Sequence, residues 1–256
     1  MTKNKLPSFR IKGLRIHWNH PHDIAALLEV FVMDAYRIKN IKKGDVVLDL
    51  GAGIGEFSIL ARKLVGHEGL VISVEPNPED FRTLRFNMGS NAFEDIITIN
   101  KAFTEGNKEI NLQFKGKFFS AIGFNLLELH EILKAHNKDK VDILKMDIEG
   151  AEIVALRNLE SELNTIRLIM LELHDTQKKV EDILTPKGFR FHRLKRKEYI
   201  LSTVIFALLH PLITWKLWKL FTLAGGNPGL IKIANGVDIS NSLELKVGIY
   251  TRNDGR

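Results

Sequence analysis

Hydrophobic positions along the chain fall into two rhythms, short continuous runs and spaced repeats, and the two alternate. The runs at 46–50, 70–75, 96–100, 141–146 and 166–171 each predict a strand buried on both faces. Between them, 57–65, 79–88, 126–135 and 151–159 carry apolar residues at helical spacing, and 180–184 adds a shorter helix. Strand and helix in alternation predict an α/β fold with a mostly parallel sheet and helices on both faces. Segment 22–38 sets Ile24, Leu27, Leu28, Phe31, Val32 and Ala35 on one stripe, so an amphipathic helix is expected ahead of the first strand. Residues 1–20 alternate basic and apolar positions, as a strand or an irregular flap would. Two or three short strands are expected between 101 and 124, and 188–194 with 243–251 complete the set.

The pattern breaks once. If the last two strands form a hairpin, their connection spans 195–243, whereas hairpin loops usually take about 2 to 5 residues. Its interior, 199–224, is the most hydrophobic stretch of the chain and follows the basic run Arg190, His192, Arg193, Lys195, Arg196 and Lys197. Pro211, Lys216 and Lys219 argue against one transmembrane helix and predict two short helices hinged at the proline. Trp215 and Trp218 beside lysines suit peripheral contact with an anionic membrane surface. A lid or a homo-oligomer contact would bury the same residues. The expected organisation is a flap and helix at 1–40, then one domain at 41–256 that carries the insertion.

Composition narrows the chemistry. The 256 residues include no cysteine, so disulfides, thiolate metal sites and cysteine nucleophiles are excluded. A net charge of +6 permits an anionic partner and is equally met by surplus surface lysines. No apolar run follows the charged residues at 1–7, so a cytoplasmic protein is expected, with the inner membrane surface as its peripheral site.

The stretch Asp49-Leu50-Gly51-Ala52-Gly53-Ile54-Gly55-Glu56 ends a strand, turns tightly and starts a helix, the arrangement that holds a nucleotide-like ligand at the carboxyl edge of an α/β sheet. A dinucleotide fingerprint wants glycine or alanine where Glu56 stands, because a carboxylate there opposes a pyrophosphate. No Gly-Lys-Ser/Thr ending exists for a P-loop. S-adenosylmethionine has no phosphate, carries two cationic centres and fits the pattern better. Asp49, Gly51, Ala52, Gly53 and Gly55 are therefore assigned to it, Asp49 with the alternative of serving the turn amides. Glu75, ending the second strand ahead of Pro76 and Asn77, is placed to accept both ribose hydroxyls. The adenine side is expected near Asn100, Lys101, Ala102 and Phe103.

With these motifs, Val74-Glu75-Pro76-Asn77-Pro78 and above all Lys145-Met146-Asp147-Ile148-Glu149-Gly150-Ala151-Glu152 resemble the FkbM family of S-adenosylmethionine-dependent methyltransferases over 40–195. Ile169-Met170-Leu171-Glu172-Leu173-His174 is similar to that family's next strand. The resemblance implies a class I methyltransferase fold, Rossmann-like and seven-stranded, with only the last strand antiparallel and the insertion between the last two strands. It also implies O-methyl transfer, often onto hydroxyls of sugars or natural products, so a small-molecule, glycan or lipid-linked acceptor is expected.

On the residues themselves, Asp147 ends the fourth strand facing the cofactor crevice, near the sulfonium, and Gly150 turns the chain into a helix. Lys145 or Glu149 would orient or deprotonate the acceptor hydroxyl, although Glu149 and Glu152 also suit a helix start. His174, beside Glu172, is the first choice of base, because imidazole titrates near pH 6.5. A divalent metal on Asp147, Glu172 and His174 is the lesser alternative, and no metal ligand is assigned. No Asn-Pro-Pro-Tyr motif for base methylation occurs, so nucleic acid is not the expected acceptor; an RNA methyltransferase remains the alternative, beside a non-enzymatic cofactor-binding or membrane-docking module.

Overall fold

The computed structural model describes residues 6–20, 22–114, 117–193, 196–212, 214–215, 219 and 247–252. In chain order the strands are β1 (Ser8–Ile11), β2 (Leu14–His17), β3 (Val46–Leu50), β4 (Leu70–Val74), β5 (Ile97–Ile99), β6 (Ala102–Phe103), β7 (Glu109–Phe114), β8 (Lys117–Phe124), β9 (Ile143–Met146), β10 (Leu168–Glu172), β11 (Phe189–Arg193) and β12 (Val247–Arg252). The helices are α1 (Asp23–Phe31), α2 (Glu56–Val65), α3 (Pro78–Ser90), α4 (Leu126–Ala135), α5 (Glu152–Asn158), α6 (Gln177–Leu184) and α7 (Arg196–Leu209).

Seven strands form one sheet in the order β11-β12-β10-β9-β3-β4-β5. Strands β3, β4, β5, β9 and β10 pair in parallel, and β12 runs antiparallel to both β10 and β11. This is the class I methyltransferase topology. The order reverses at β3, whose neighbours are β4 and β9, and such a switch point opens a crevice at the carboxyl edge.

Alternate residues of the same strands feed opposite faces. Val47, Val71, Ile143, Leu168 and Met170 join α1, α2, α3 and the β1–β2 hairpin in one core. Leu48, Leu50, Ile72, Leu144, Met146 and Ile169 join residues of α4, α5 and α6 in the other. Each fully buried side chain of this size contributes about 1.5–3 kcal/mol.

The amino-terminal segment is ordered where a strand or flap is expected. Its hairpin is clasped to α3 by two asparagines. Asn87 Oδ1 accepts from the amide of His17 at 2.7 Å, and its Nδ2 donates to the carbonyls of His17 (2.8 Å) and Ile54 (2.9 Å). Asn91 brackets the backbone of Arg15 in the same way.

The expected helix at 22–38 is shorter. α1 stops at Phe31, and Asp34 and Arg37 adopt left-handed φ of 52° and 49°. The turn is stabilised where the Asp34 carboxylate accepts from the Ile38 amide at 2.9 Å, and it buries Ala35 and Tyr36.

The insertion begins as α7, which already includes the end of the basic run. Phe206 anchors it in the first core, and Arg37 pairs with Glu198 at 2.8 Å. Helical residues continue past Pro211 at 211–212, 214–215 and 219, while Lys216, Trp218 and 220–224 of the expected second helix lie outside the described residues. No helix among the described residues is long and apolar enough to cross a membrane.

Candidate active site

The carboxyl ends of β3, β4, β9 and β10 bring the glycine turn, Glu75, Asp147 and the Glu172–His174 pair to one sheet edge. The turn is fixed from below. The amides of Gly51 and Ala52 donate to the Val74 carbonyl at 2.9 and 3.0 Å, and Gly53 donates to Glu75 Oε2 at 2.7 Å. Gly51 has φ +75°, and a Cβ there would lie 1.8 Å from the carbonyl oxygen of Asp147. Gly55, with φ +89°, likewise leaves room for Leu84. Only glycine satisfies both conformation and closeness.

Beneath the turn a buried polar chain crosses three strands. Ser73 Oγ donates to Ser58 Oγ at 2.7 Å, Ser58 donates to Asp49 Oδ2 at 2.5 Å, and Asp49 Oδ1 lies 3.1 Å from Lys145 Nζ. Lys145 completes the chain by donating to the Gly51 carbonyl at 2.7 Å. Strand register explains the meeting, because Asp49 pairs with Ser73 on one side and with Lys145 on the other.

Two sequence-based assignments are corrected here. Asp49 faces into the protein rather than toward the cofactor. Lys145, 1% exposed, cannot reach an acceptor hydroxyl. Burial opposes its charge, but the carboxylates of Asp49, Asp147 and Glu56 outweigh burial and push its pKa above that of an ordinary lysine. A lysine whose charged form is favoured and whose Nζ is held by Asp49 and the Gly51 carbonyl is poorly placed to act as a base.

Glu75 is buried, and each oxygen accepts one backbone amide, Gly53 on Oε2 and Asn77 on Oε1, both at 2.7 Å. A carboxylate oxygen has two lone pairs, so one site on each remains for a ribose hydroxyl. Burial raises the Glu75 carboxyl to about 8, against the pull of the two amides. Asn77 follows Pro76 and caps α3, its side chain accepting from the Glu79 amide at 2.9 Å. Glu56 is more exceptional. It is 7% exposed, its Oε2 has no hydrogen-bond partner, and burial pushes its carboxyl up to about 8. An orphaned carboxylate above Gly53 fits a ligand with a cationic end and opposes an anionic one.

On the side where adenine is expected, the side chains of Lys101 and Phe103 are engaged within the protein. Lys101 is ion-paired with Glu128 from the start of α4. Phe103 turns into the core, where its ring meets Phe124 edge-on at 5.9 Å, and Ala102 is buried beside it. Asn100, expected on this side, donates to the carbonyls of Glu75 (2.8 Å) and Pro76 (3.1 Å).

At the other end of the edge, Asp147, Glu149, Glu172 and His174 converge as expected from their motifs. His174 Nε2 lies 3.3 Å from Glu149 and 3.8 Å from Glu172, and its Nδ1 lies 2.8 Å from Glu152 Oε1. The hydrogen bond to Glu152 raises the imidazole pKa above its usual value, with burial working against it. Burial, then the charges of Asp147 and Glu29, push the Glu172 carboxyl up to about 8. Glu29 itself rises to about 7, through burial and then Asp147.

Sequence reasoning missed Glu29 and Tyr36. Both come from the segment ahead of the first strand, outside every motif. Tyr36 is 2% exposed, with Lys145 Nζ 5.7 Å from its ring centroid. Glu29 shares its helix with the apolar stripe, and nothing in its spacing marks it.

The fold and the edge define a methyl-donor enzyme of the class I type. The Methyltransferase FkbM domain matches residues 49–192, more than half of the chain. Methyltransferase sdnD of Sordaria araneosa is 21% identical over 211 residues, covering 64% of this chain and 81% of that protein. Hexuronic acid methyltransferase AglP of Haloferax volcanii is 20% identical over 146 residues, covering 54% of this chain and 59% of that protein. The solved methyltransferase FkbM of Methylobacillus flagellatus aligns with a TM-score of 0.41 and 18% identity; 57% of this chain and 39% of that one are covered. The chain belongs to the FkbM methyltransferase family, and its cofactor is S-adenosylmethionine.

Proposed function

We propose that the protein methylates a hydroxyl of a sugar, a glycolipid or a small natural product. The observation that carries this reading is the convergence of Asp147, Glu149, Glu172 and His174 beside the glycine turn, where Gly51 touches the backbone of Asp147. The backbone of Gly51, Ala52, Gly53 and Gly55 receives the cofactor, Glu75 its ribose hydroxyls, and Glu56 its cationic methionine portion. Pro76 and Asn77 set the Glu75 turn. When bound, S-adenosylmethionine supplies a methyl group made electrophilic by its sulfonium. An alcohol is a weak nucleophile, so the carboxylate and imidazole groups hold the acceptor hydroxyl in line and take its proton. Lys145 and Asp49 are positioning residues that act through the turn.

A hydroxyl acceptor is supported by the acidic edge, which suits hydroxyl donors and repels a phosphate chain, and a sugar-derived acceptor by the name of one relative, a hexuronic acid methyltransferase. Labelled methyl transfer from S-adenosylmethionine to sugars, glycolipids and RNA tests it. Label on a sugar or natural-product hydroxyl is expected, and label found in RNA alone would overturn it.

Peripheral contact with an anionic membrane is part of the same reading, because α7 and the residues after it expose Leu201, Leu208, Leu209, Leu212 and Trp215. Deleting 199–224 should abolish flotation with phosphatidylserine vesicles. Unchanged flotation removes the membrane contact and leaves a lid or oligomer surface.

A further inference from the structure

We propose that Asp147, Glu149 and His174 bind a divalent cation of the manganese or magnesium class. One ligand atom from each of the three lies within 4.8 Å of the others. Two carboxylates and one imidazole make a mixed oxygen and nitrogen set, which suits manganese or magnesium better than thiophilic metals. Metal–oxygen distances of about 2.1 Å place adjacent octahedral ligands about 3 Å apart. His174 Nε2 and Glu149 Oε2, at 3.3 Å, already stand near that spacing. The Glu149 side chain is 59% exposed and free to close on an ion from the solvent side.

A second observation, outside the three ligands, points the same way. Glu152 is fully buried, and its Oε1 stands 2.8 Å from His174 Nδ1. Oε1 also accepts from the Gly150 amide at 3.0 Å, and Oε2 accepts from Thr176 Oγ1 at 3.2 Å. Glu152 is therefore fixed by three partners and fixes the ring in turn. With Nδ1–H donating to Glu152, the coordinating lone pair sits on Nε2 and is aimed at Glu149 and Glu172. Such a lone pair facing carboxylate oxygens is unfavourable unless a proton or a metal cation lies between them, and the titration below distinguishes the two. A carboxylate holding the far nitrogen of a histidine is the support that metal-binding imidazoles ordinarily have.

Lys145 does not fill this role, because it is committed to Asp49 and Gly51. An ion here has room for solvent or an acceptor oxygen on its open side, where it would polarise a hydroxyl and leave Glu172, rather than the metal-bound His174, to take the proton. That last use rests on the O-methyl transfer proposed above; the site itself does not.

The test is manganese titration of the full chain, cleared of metal by chelator and followed by electron paramagnetic resonance of the free ion. One bound manganese per chain is expected. Asp147→Asn and His174→Ala should each weaken it at least about tenfold, Glu152→Gln about 10- to 100-fold, and Glu131→Gln on exposed α4 not at all. Calorimetric binding of S-adenosylmethionine to each variant verifies folding. A free-ion signal undiminished by protein, or binding that Asp147→Asn and His174→Ala leave unchanged, overturns the site. Methyl transfer at full rate in excess chelator overturns the cation's part and leaves the proposed reaction standing. Stoichiometric manganese binding with no hydroxyl methylated supports the site and sinks the reaction.

Discussion

The cofactor side and the acceptor side of the sheet edge are neighbours built by different means. Between Val46 and Asn77 a contiguous stretch supplies the glycine turn, Glu56, Ser58, Ser73 and Glu75, and Asn100 and Lys145 come from farther along the chain. The acceptor side collects Glu29 from α1, Asp147 and Glu149 after β9, Glu152 from α5, and Glu172 and His174 from β10. The first side is closed, buried and bonded to itself. The second is partly open, with His174 19% and Glu149 59% exposed at their side chains. Rigidity serves a ligand that never changes, while an open acidic rim can be shaped to different acceptors.

If this contrast holds, damage to the cofactor side lowers stability and damage to the acceptor side lowers turnover. The largest effect is expected for Lys145→Met, which strands the Asp49 carboxylate in the core and costs about 3–5 kcal/mol. Denaturant melts measure it. A loss confined to activity, with the fold untouched, would erase the contrast.

Next comes pH. Burial raises the Glu56 carboxyl from 4.5 to about 8 on folding, so its ionisation withholds stability progressively as pH climbs through that window. Glu56→Gln removes the penalty, and its advantage over the parent should grow from near pH 5 to above about pH 8, reaching up to roughly 4 kcal/mol. Cofactor-free urea melts at both ends test the sign, and a pH-independent difference refutes it.

Gly51→Ala forces a Cβ into the Asp147 carbonyl at φ +75° and should cost roughly 3 kcal/mol. His174→Ala should lower stability by only about 1–3 kcal/mol, because the buried Glu152 keeps Gly150 and Thr176 as partners, and should slow methyl transfer on the order of 100-fold, with S-adenosylmethionine affinity within about threefold. Equal losses of affinity and rate would place His174 on the cofactor side instead. The smallest effect belongs to Lys101→Ala, whose pair with Glu128 is about one quarter exposed and is worth less than about 1 kcal/mol.

The same contrast explains what the sequence disclosed. The sheet was legible because its strands are continuous apolar runs, and the glycine turn because positive φ leaves few residues to choose from. Position along a strand also placed Glu75, Asp147, Glu172 and His174 at the right edge. Direction of a side chain was harder. Asp49 and Lys145 stand among motif residues yet face inward, since strand alternation and cross-strand register decide what they meet. Phe103 turns inward for the same reason, drawn to Phe124. Glu29 and Tyr36 were hidden because Asp147 and Glu172, the site groups they face, lie more than a hundred residues away, and no local spacing encodes that meeting.

The contact between Gly51 and the Asp147 carbonyl bears on how such enzymes can be re-engineered. Two loops pressed together at a missing side chain behave like meshed teeth, so neither can be exchanged alone. A graft meant to redirect this protein to another acceptor has freedom on the open rim outside Glu149 and Glu172, but must carry the backbone at 147 unchanged or bring its own glycine turn with it.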